Sequence, residues 1–250
     1  MPIERDFPAS DQPAGRLVAR EMLALVGASL LFPFGLRRSR RQTARVRDQR
    51  TIVLVHGYLA NRATLAPLGA WLRLRGAPAV LGFDYDAQHG IERAAIDLAR
   101  WLRTRVRGGR IDLVCHSLGG LVARVYLQEL GGARRVDRCI TLGTPHRGTY
   151  NAYWVASRVG RELRPDSTLL SRLDASRAAA RRVRFTSIVA GSDNIVIPRV
   201  FSATQEDIVR VPDLGHIGML FSPAVYRAVA QRLLGPPDPR PGATITDPSP

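Results

Sequence analysis

Residues 111–127 read IDLVCHSLGGLVARVYL, and the fold turns on how that stretch divides. IDLVC is a continuous apolar run of strand length, and LGGLVARVYLQEL continues as an apolar helix. Ser117 stands between them, two residues before Gly119. A strand that turns sharply into a helix lifts such a serine hydroxyl clear of the sheet. It also crowds the residues two before and two after the serine, so both must be small. Gly119 meets that demand. Cys115 occupies the place of the first glycine in G-x-S-x-G; it is larger but compact, so the turn is expected to be strained yet feasible. The competing reading is a serine that merely caps a helix. The rest of the chain decides between them.

Outward from this stretch, strands and helices alternate. TIVLV (residues 51–55) is a β-branched run suited to a strand buried on both faces. A helix follows from about residue 64 to 74, then the strand AVLGFDY (79–85). Next comes an amphipathic helix over residues 91–105, with Ile91, Ala95, Leu98, Ala99 and Leu102 on one side. After residue 130 the strands RCITLG, FTSIVAG and EDIVRV and the helix SPAVYRAVAQRLL complete the series. This order predicts an α/β domain over residues 51–234, a mostly parallel sheet with helices on both faces. Residues 150–182 are expected to form a helical, arginine-rich insert without a strand. The tail GPPDPRPGATITDPSP (235–250) has too few apolar residues to pack and is expected to be disordered.

Residues 1–50 form a separate region: a polar tail, an apolar stretch and a basic cluster. The uncharged part of RLVAREMLALVGASLLFPFG, residues 22–35, is shorter than the roughly 20 residues that span a bilayer. Pro33 is expected to end its helix. Acidic Glu4, Asp6 and Asp11 and the absence of an A-x-A site fit a secretory signal poorly. An apolar helix beside RRSRR (37–41) reads as an interfacial anchor or as a helix packed on the domain. The formal net charge is +16, and all 37 basic residues are arginine. Biased codon usage is the plain explanation; an anionic membrane surface is the functional one, ranked above nucleic acid because no nucleic-acid motif accompanies the arginines. Cys115 and Cys139 lie in apolar runs and read as buried thiols, with no metal-binding spacing.

A serine hydroxyl needs a base, an acid that orients the base, and donors for an oxyanion. His56-Gly57 follows the TIVLV strand, where a backbone N–H can join that of Leu118 in an oxyanion hole. Asp193, in the turn GSDN, and His216, in GHIG, both follow strands. Ser117, Asp193 and His216 thus fall in a triad's chain order, each at a strand end. His116 is read as packing, His146 as lining the site's mouth and His89 as solvated. Asp213 is a distant second choice for the acid, and Asp84 and Asp86 are read as binding loop amides.

The segments VLVHGYLANRATLAPL, VCHSLGGLVARVYL, TLGTPHRGT, AGSDNIVIP and GHIGML resemble those of bacterial lipases and esterases of the α/β-hydrolase fold, triacylglycerol lipases among them. The resemblance runs from about residue 51 to 234. It implies Ser117, Asp193 and His216 as catalytic triad and Tyr58 and Leu118 as oxyanion N–H donors. The insert's own residues Tyr153, Trp154, Val155, Val159 and Leu163 read either as an apolar lid over an acyl pocket or as a helix pair packed permanently on the sheet. The expected activity is hydrolysis of carboxylic esters, of lipids above all, through an acyl-enzyme and without cofactor or metal. Acyl transfer, thioester cleavage and a non-catalytic membrane-associated role remain as alternatives. The expected location is the cytoplasm or the inner membrane face, with secretion left open.

Overall fold

The computed structural model describes residues 13–36, 46–47, 50–196 and 207–235. The basic cluster 37–41 and the expected disordered tail beyond residue 235 lie outside the described residues.

Helix α1 (Ala14–Leu36) precedes a short strand β1 (Val46–Arg47) and then β2 (Thr51–Val55). The chain continues through α2 (Ala66–Leu74), β3 (Val80–Phe83), α3 (Ile91–Arg105), a short β4 (Val106–Arg107), β5 (Ile111–His116) and α4 (Leu118–Glu129). Strand β6 (Val136–Leu142), the insert helices α5 (Arg158–Glu162) and α6 (Thr168–Ala175), strands β7 (Arg184–Ala190) and β8 (Asp207–Val211), and α7 (Pro223–Leu234) complete it. The main sheet has six strands in the order β3-β2-β5-β6-β7-β8, every pairing parallel. This is the α/β-hydrolase architecture.

Side chains alternate across the sheet and feed two cores. Val53, Leu113 and Cys115 join α3 and α4 on one face; Ile52, Leu54 and Val114 join α2 and α7 on the other. Full burial of the central strands β2 and β5 on both faces explains why they read as mainly apolar runs. The buried carboxylate Asp112 on β5 is held by Arg50, 2.5 Å from its Nε. The order of strands reverses between β2 and β5, since β3 lies beyond β2 and β6 beyond β5. A crevice opens at the carboxyl ends of strands where the winding reverses. The segments after β2 and β5, which carry Gly57 and Ser117, meet there.

One expectation is corrected. Helix α1 does not stop at Pro33 but runs to Leu36 with the proline inside it. The proline removes one N–H within the last turn, and partners from outside the helix hold its final carbonyls: Asn61 Nδ2 donates to Phe32 O (2.8 Å) and Arg62 Nη1 to Gly35 O (2.6 Å). At 23 residues the helix is also longer than its uncharged core, and long and apolar enough by composition to cross a bilayer. Within the insert, whose sequence reads as a lid or as a permanently packed helix pair, Val159, Leu169, Leu170 and Leu173 belong to the α3/α4 core, while Tyr153 and Trp154 are exposed.

Candidate active site

The register of the sheet sets Val55 beside Cys115 and His116 beside Leu142. The residues that continue these strands, Gly57, Ser117 and Gly143, therefore emerge side by side.

Ser117 has φ 52° and ψ −122°, a conformation rare for any residue with a side chain. Its surroundings force it there. The N–H of Ser117 donates to Leu142 O (2.8 Å), and Thr144 Oγ1 donates to its carbonyl (2.9 Å), so the turn is tied to β6 and the segment after it. A Cβ on Gly119 would come within 2.6 Å of the carbonyl oxygens of Val55 and His56; α4 can start this close to β2 only with glycine there. A Cβ on Gly57 would lie 3.1 Å from that of Ser117. Cys115 is accommodated because its side chain packs into the α3/α4 core rather than into the turn. The crowding falls on Gly57 and Gly119.

Asp193 and His216 are both buried, and His216 Nδ1 lies 2.7 Å from Asp193 Oδ2. The other carboxylate oxygen accepts the N–H groups of Ile195 and Val196, each at 2.9 Å. Burial pushes the Asp193 pKa up, but the His216 hydrogen bond and charge and these two N–H groups outweigh it, leaving the carboxyl below its usual value. The pair sits against the end of β6: a Cβ on Gly143 (φ 56°) would be 3.1 Å from His216 Nδ1 and 3.3 Å from Asp193 Oδ2. Gly143 lies between Leu142 and Thr144, both bonded to Ser117. One short segment thus touches all three residues.

His116 is more than packing. Its ring lies 4.9 Å from that of His216, and its Nε2 is 3.3 Å from the His216 carbonyl. Burial, followed by the charge of His216, lowers its pKa to about 3, so it holds this contact as a neutral donor. His56 is buried and stacked on Tyr85, with ring centroids 4.4 Å apart, and the Tyr85 hydroxyl donates to His56 O (2.7 Å). These contacts fix the strand end from which Gly57 and Tyr58 depart. The N–H of Leu118 opens α4, where the first amides have no partner within the helix.

His146 corrects the expectation that it lines the mouth. It is buried against Phe185, 3.1 Å from Thr141 Oγ1, and its carbonyl accepts from Arg124 Nη1 (2.9 Å). His89 is exposed beside Asp86. Asp86 binds the Gln88 N–H and Asp84 the Arg62 N–H, as loop ligands. Asp213 occupies a turn with φ 53°, while Asp193 holds His216.

Sequence reading missed one group at the site. Glu21 of α1 reaches the His216 loop, accepting from the N–H groups of Ile217 (2.9 Å) and Gly218 (2.7 Å). Cβ atoms on Gly215 or Gly218 would collide with its carboxyl group, at 2.2 and 2.5 Å. The glycines of GHIG were the visible signal, but nothing local named their occupant.

Residues 98–222 match the PGAP1-like alpha/beta domain, and residues 35–154 match a domain of unknown function (DUF7379). Among solved structures, the chain is similar to a gene product of Listeria innocua (14% identity, TM-score 0.61), covering 80% of this chain and 99% of that one. It is similar to the mature Bacillus licheniformis lipase BlEst2 (14%, TM-score 0.61, 78% and 94%). Aspergillus fumigatus lipase B also shares the fold (16%, TM-score 0.60, 95% and 62%).

Proposed function

The chain belongs to the family of PGAP1-like alpha/beta domains, and we propose that it is a serine hydrolase cleaving carboxylic esters, with lipid esters as the preferred class. Its fold is that of lipases and esterases. The observation that carries the reading is the buried Asp193–His216 pair, 2.7 Å apart, joined through Leu142, Gly143 and Thr144 to a strained serine turn.

His216 accepts the Ser117 hydroxyl proton as the oxygen attacks the ester carbonyl. Asp193 holds the imidazole with its proton on Nδ1, leaving Nε2 to work as base, and stabilises the imidazolium that forms. The Tyr58 and Leu118 N–H groups donate to the tetrahedral oxyanion. As the C–O bond breaks, His216 returns the proton to the departing alcohol. Water then attacks the acyl-serine, loses its proton to His216, and releases the acid as Ser117 regains its hydrogen. The steps balance without a cofactor. The low pKa of Asp193 suits its role, because a protonated carboxyl would not stabilise the imidazolium.

The lipid preference draws on the rim. Leu59, Trp154 and Ile195 are exposed, at 74%, 89% and 41%, on the segments that follow β2, β6 and β7. Large exposed apolar side chains on segments that leave the carboxyl ends of the strands suit acyl chains better than small polar esters.

Hydrolysis of nitrophenyl esters graded in chain length tests the reading. The intact protein is expected to turn them over, with kcat/KM rising toward longer chains. Ser117→Ala and His216→Ala are expected to lose about 10⁴-fold or more. Unchanged turnover by either variant would overturn it.

A further inference from the structure

Helix α1 is built inside out. Its inward stripe is Leu17, Glu21, Ala24, Ala28, Leu31 and Gly35, spaced at helical period and made mostly of small or polar residues. Its outward face carries large apolar ones, with Leu23 73%, Leu30 68%, Phe34 63%, Val18 60% and Met22 55% exposed. A helix packed for a water-soluble domain has the reverse arrangement, and a contiguous apolar face of this kind marks a docking surface.

Two features name the occupant. Arg16 is exposed on the helix itself, and the sequence that follows the helix is RRSRR (37–41). With a net charge of +16, apposing two copies through this face would add repulsion, whereas an anionic lipid surface complements it. Length alone would let α1 cross a bilayer, yet its inner stripe is engaged from Glu21 to Gly35. Glu21 binds the Ile217 and Gly218 amides near one end, Phe221 lies against Gly27, and Asn61 and Arg62 bind the carbonyls of Phe32 and Gly35 at the other. A helix tied to the domain from Glu21 to its C-terminal end lies along a membrane rather than through it.

We propose that α1 docks the protein on an anionic lipid bilayer with its outer apolar face immersed, and that Glu21 joins this docked helix to the loop of His216. The helix is held on its other side by Asn61 and Arg62, which follow Tyr58. Both loops flanking the candidate site are thus attached to the membrane-facing element, and the site is carried to where lipid esters lie. This last consequence rests on the hydrolase reading; the docking does not.

Flotation of the full-chain Ser117→Ala protein with liposomes separates the two, because binding needs no working nucleophile. With vesicles of phosphatidylcholine and phosphatidylglycerol in equal parts, the protein is expected to float at low salt, and to float less as salt rises or with phosphatidylcholine alone. Combining Leu23→Ser, Leu30→Ser and Phe34→Ser should lower partitioning about tenfold or more while leaving the melting temperature unchanged. The proposal is overturned if the parent protein fails to float, or if the triple variant floats equally well. Sedimentation that reveals a dimer which the triple substitution dissociates would overturn it in favour of a second copy.

Discussion

Acidification should unfold this protein through histidines that its interior keeps neutral, and His116 shows by how much. Burial, then the neighbouring His216 charge, lowers its pKa from 6.5 to about 3. In the unfolded chain the imidazole regains its ordinary value. Between those two values the unfolded state holds a proton that the folded state does not. The stability His116 contributes is therefore complete above about pH 6.5 and is lost as pH falls toward 3. One proton corresponds to about 1.4 kcal/mol per pH unit, so lowering the pH from about 6.5 to about 5 removes roughly 2 kcal/mol. His56 and His146, both lowered chiefly by burial, act in the same direction. His116→Phe keeps a flat ring against His216 and removes the titration. It forfeits the hydrogen bond to the His216 carbonyl, a cost that does not change with pH. Urea unfolding followed by circular dichroism between about pH 5 and pH 6 measures both slopes. The variant should be shallower by about one proton, near 1.4 kcal/mol per pH unit. Equal slopes would refute the reasoning, because His116 would then be titrating in the folded protein.

Other consequences are equally specific. Arg50→Ala leaves the fully buried Asp112 without its bidentate partner and should destabilise the domain by about 3 kcal/mol, read as a lower urea midpoint. Gly119→Ala drives a methyl group to 2.6 Å from two backbone oxygens of β2 and the residue after it; a cost of about 1–3 kcal/mol is expected by thermal melting, with loss of ester turnover. Asp193→Asn should lower kcat by about 10⁴-fold with little change in stability at neutral pH, and a drop under tenfold would remove Asp193 from its proposed role.

The sheet was legible because its central strands β2 and β5 are buried on both faces and read as mainly apolar runs, with the other strands alternating with helices around them. The helix over residues 91–105 was read to its boundaries because one side is apolar and the other charged. The candidate site was visible as three residues at strand ends, although only the fold brings Asp193 to within 2.7 Å of His216 across the intervening chain. What sequence could not carry was docking. Helix α1 has small residues inward and large ones outward, so its pattern reads only as apolar, and Glu21 meets its partners 196 and 197 residues away. His146 was misplaced for a related reason. Its loop follows a strand at the site's edge, but Arg124 and Thr141 hold it buried against Phe185. The pairing of β1 with β4 joins two-residue segments, too short for any periodicity to announce.

The central claim is that Ser117 is an activated nucleophile, and a fluorophosphonate probe addresses it without presuming a substrate. Phosphonylation needs an oxygen deprotonated by a neighbouring base and donors for the developing negative charge, the features assigned to His216, Tyr58 and Leu118. Peptide mapping of the labelled full chain should place the adduct on Ser117, with labelling abolished in Ser117→Ala and in His216→Ala. No adduct under conditions that label a known serine esterase, or an adduct on another residue, would contradict the claim.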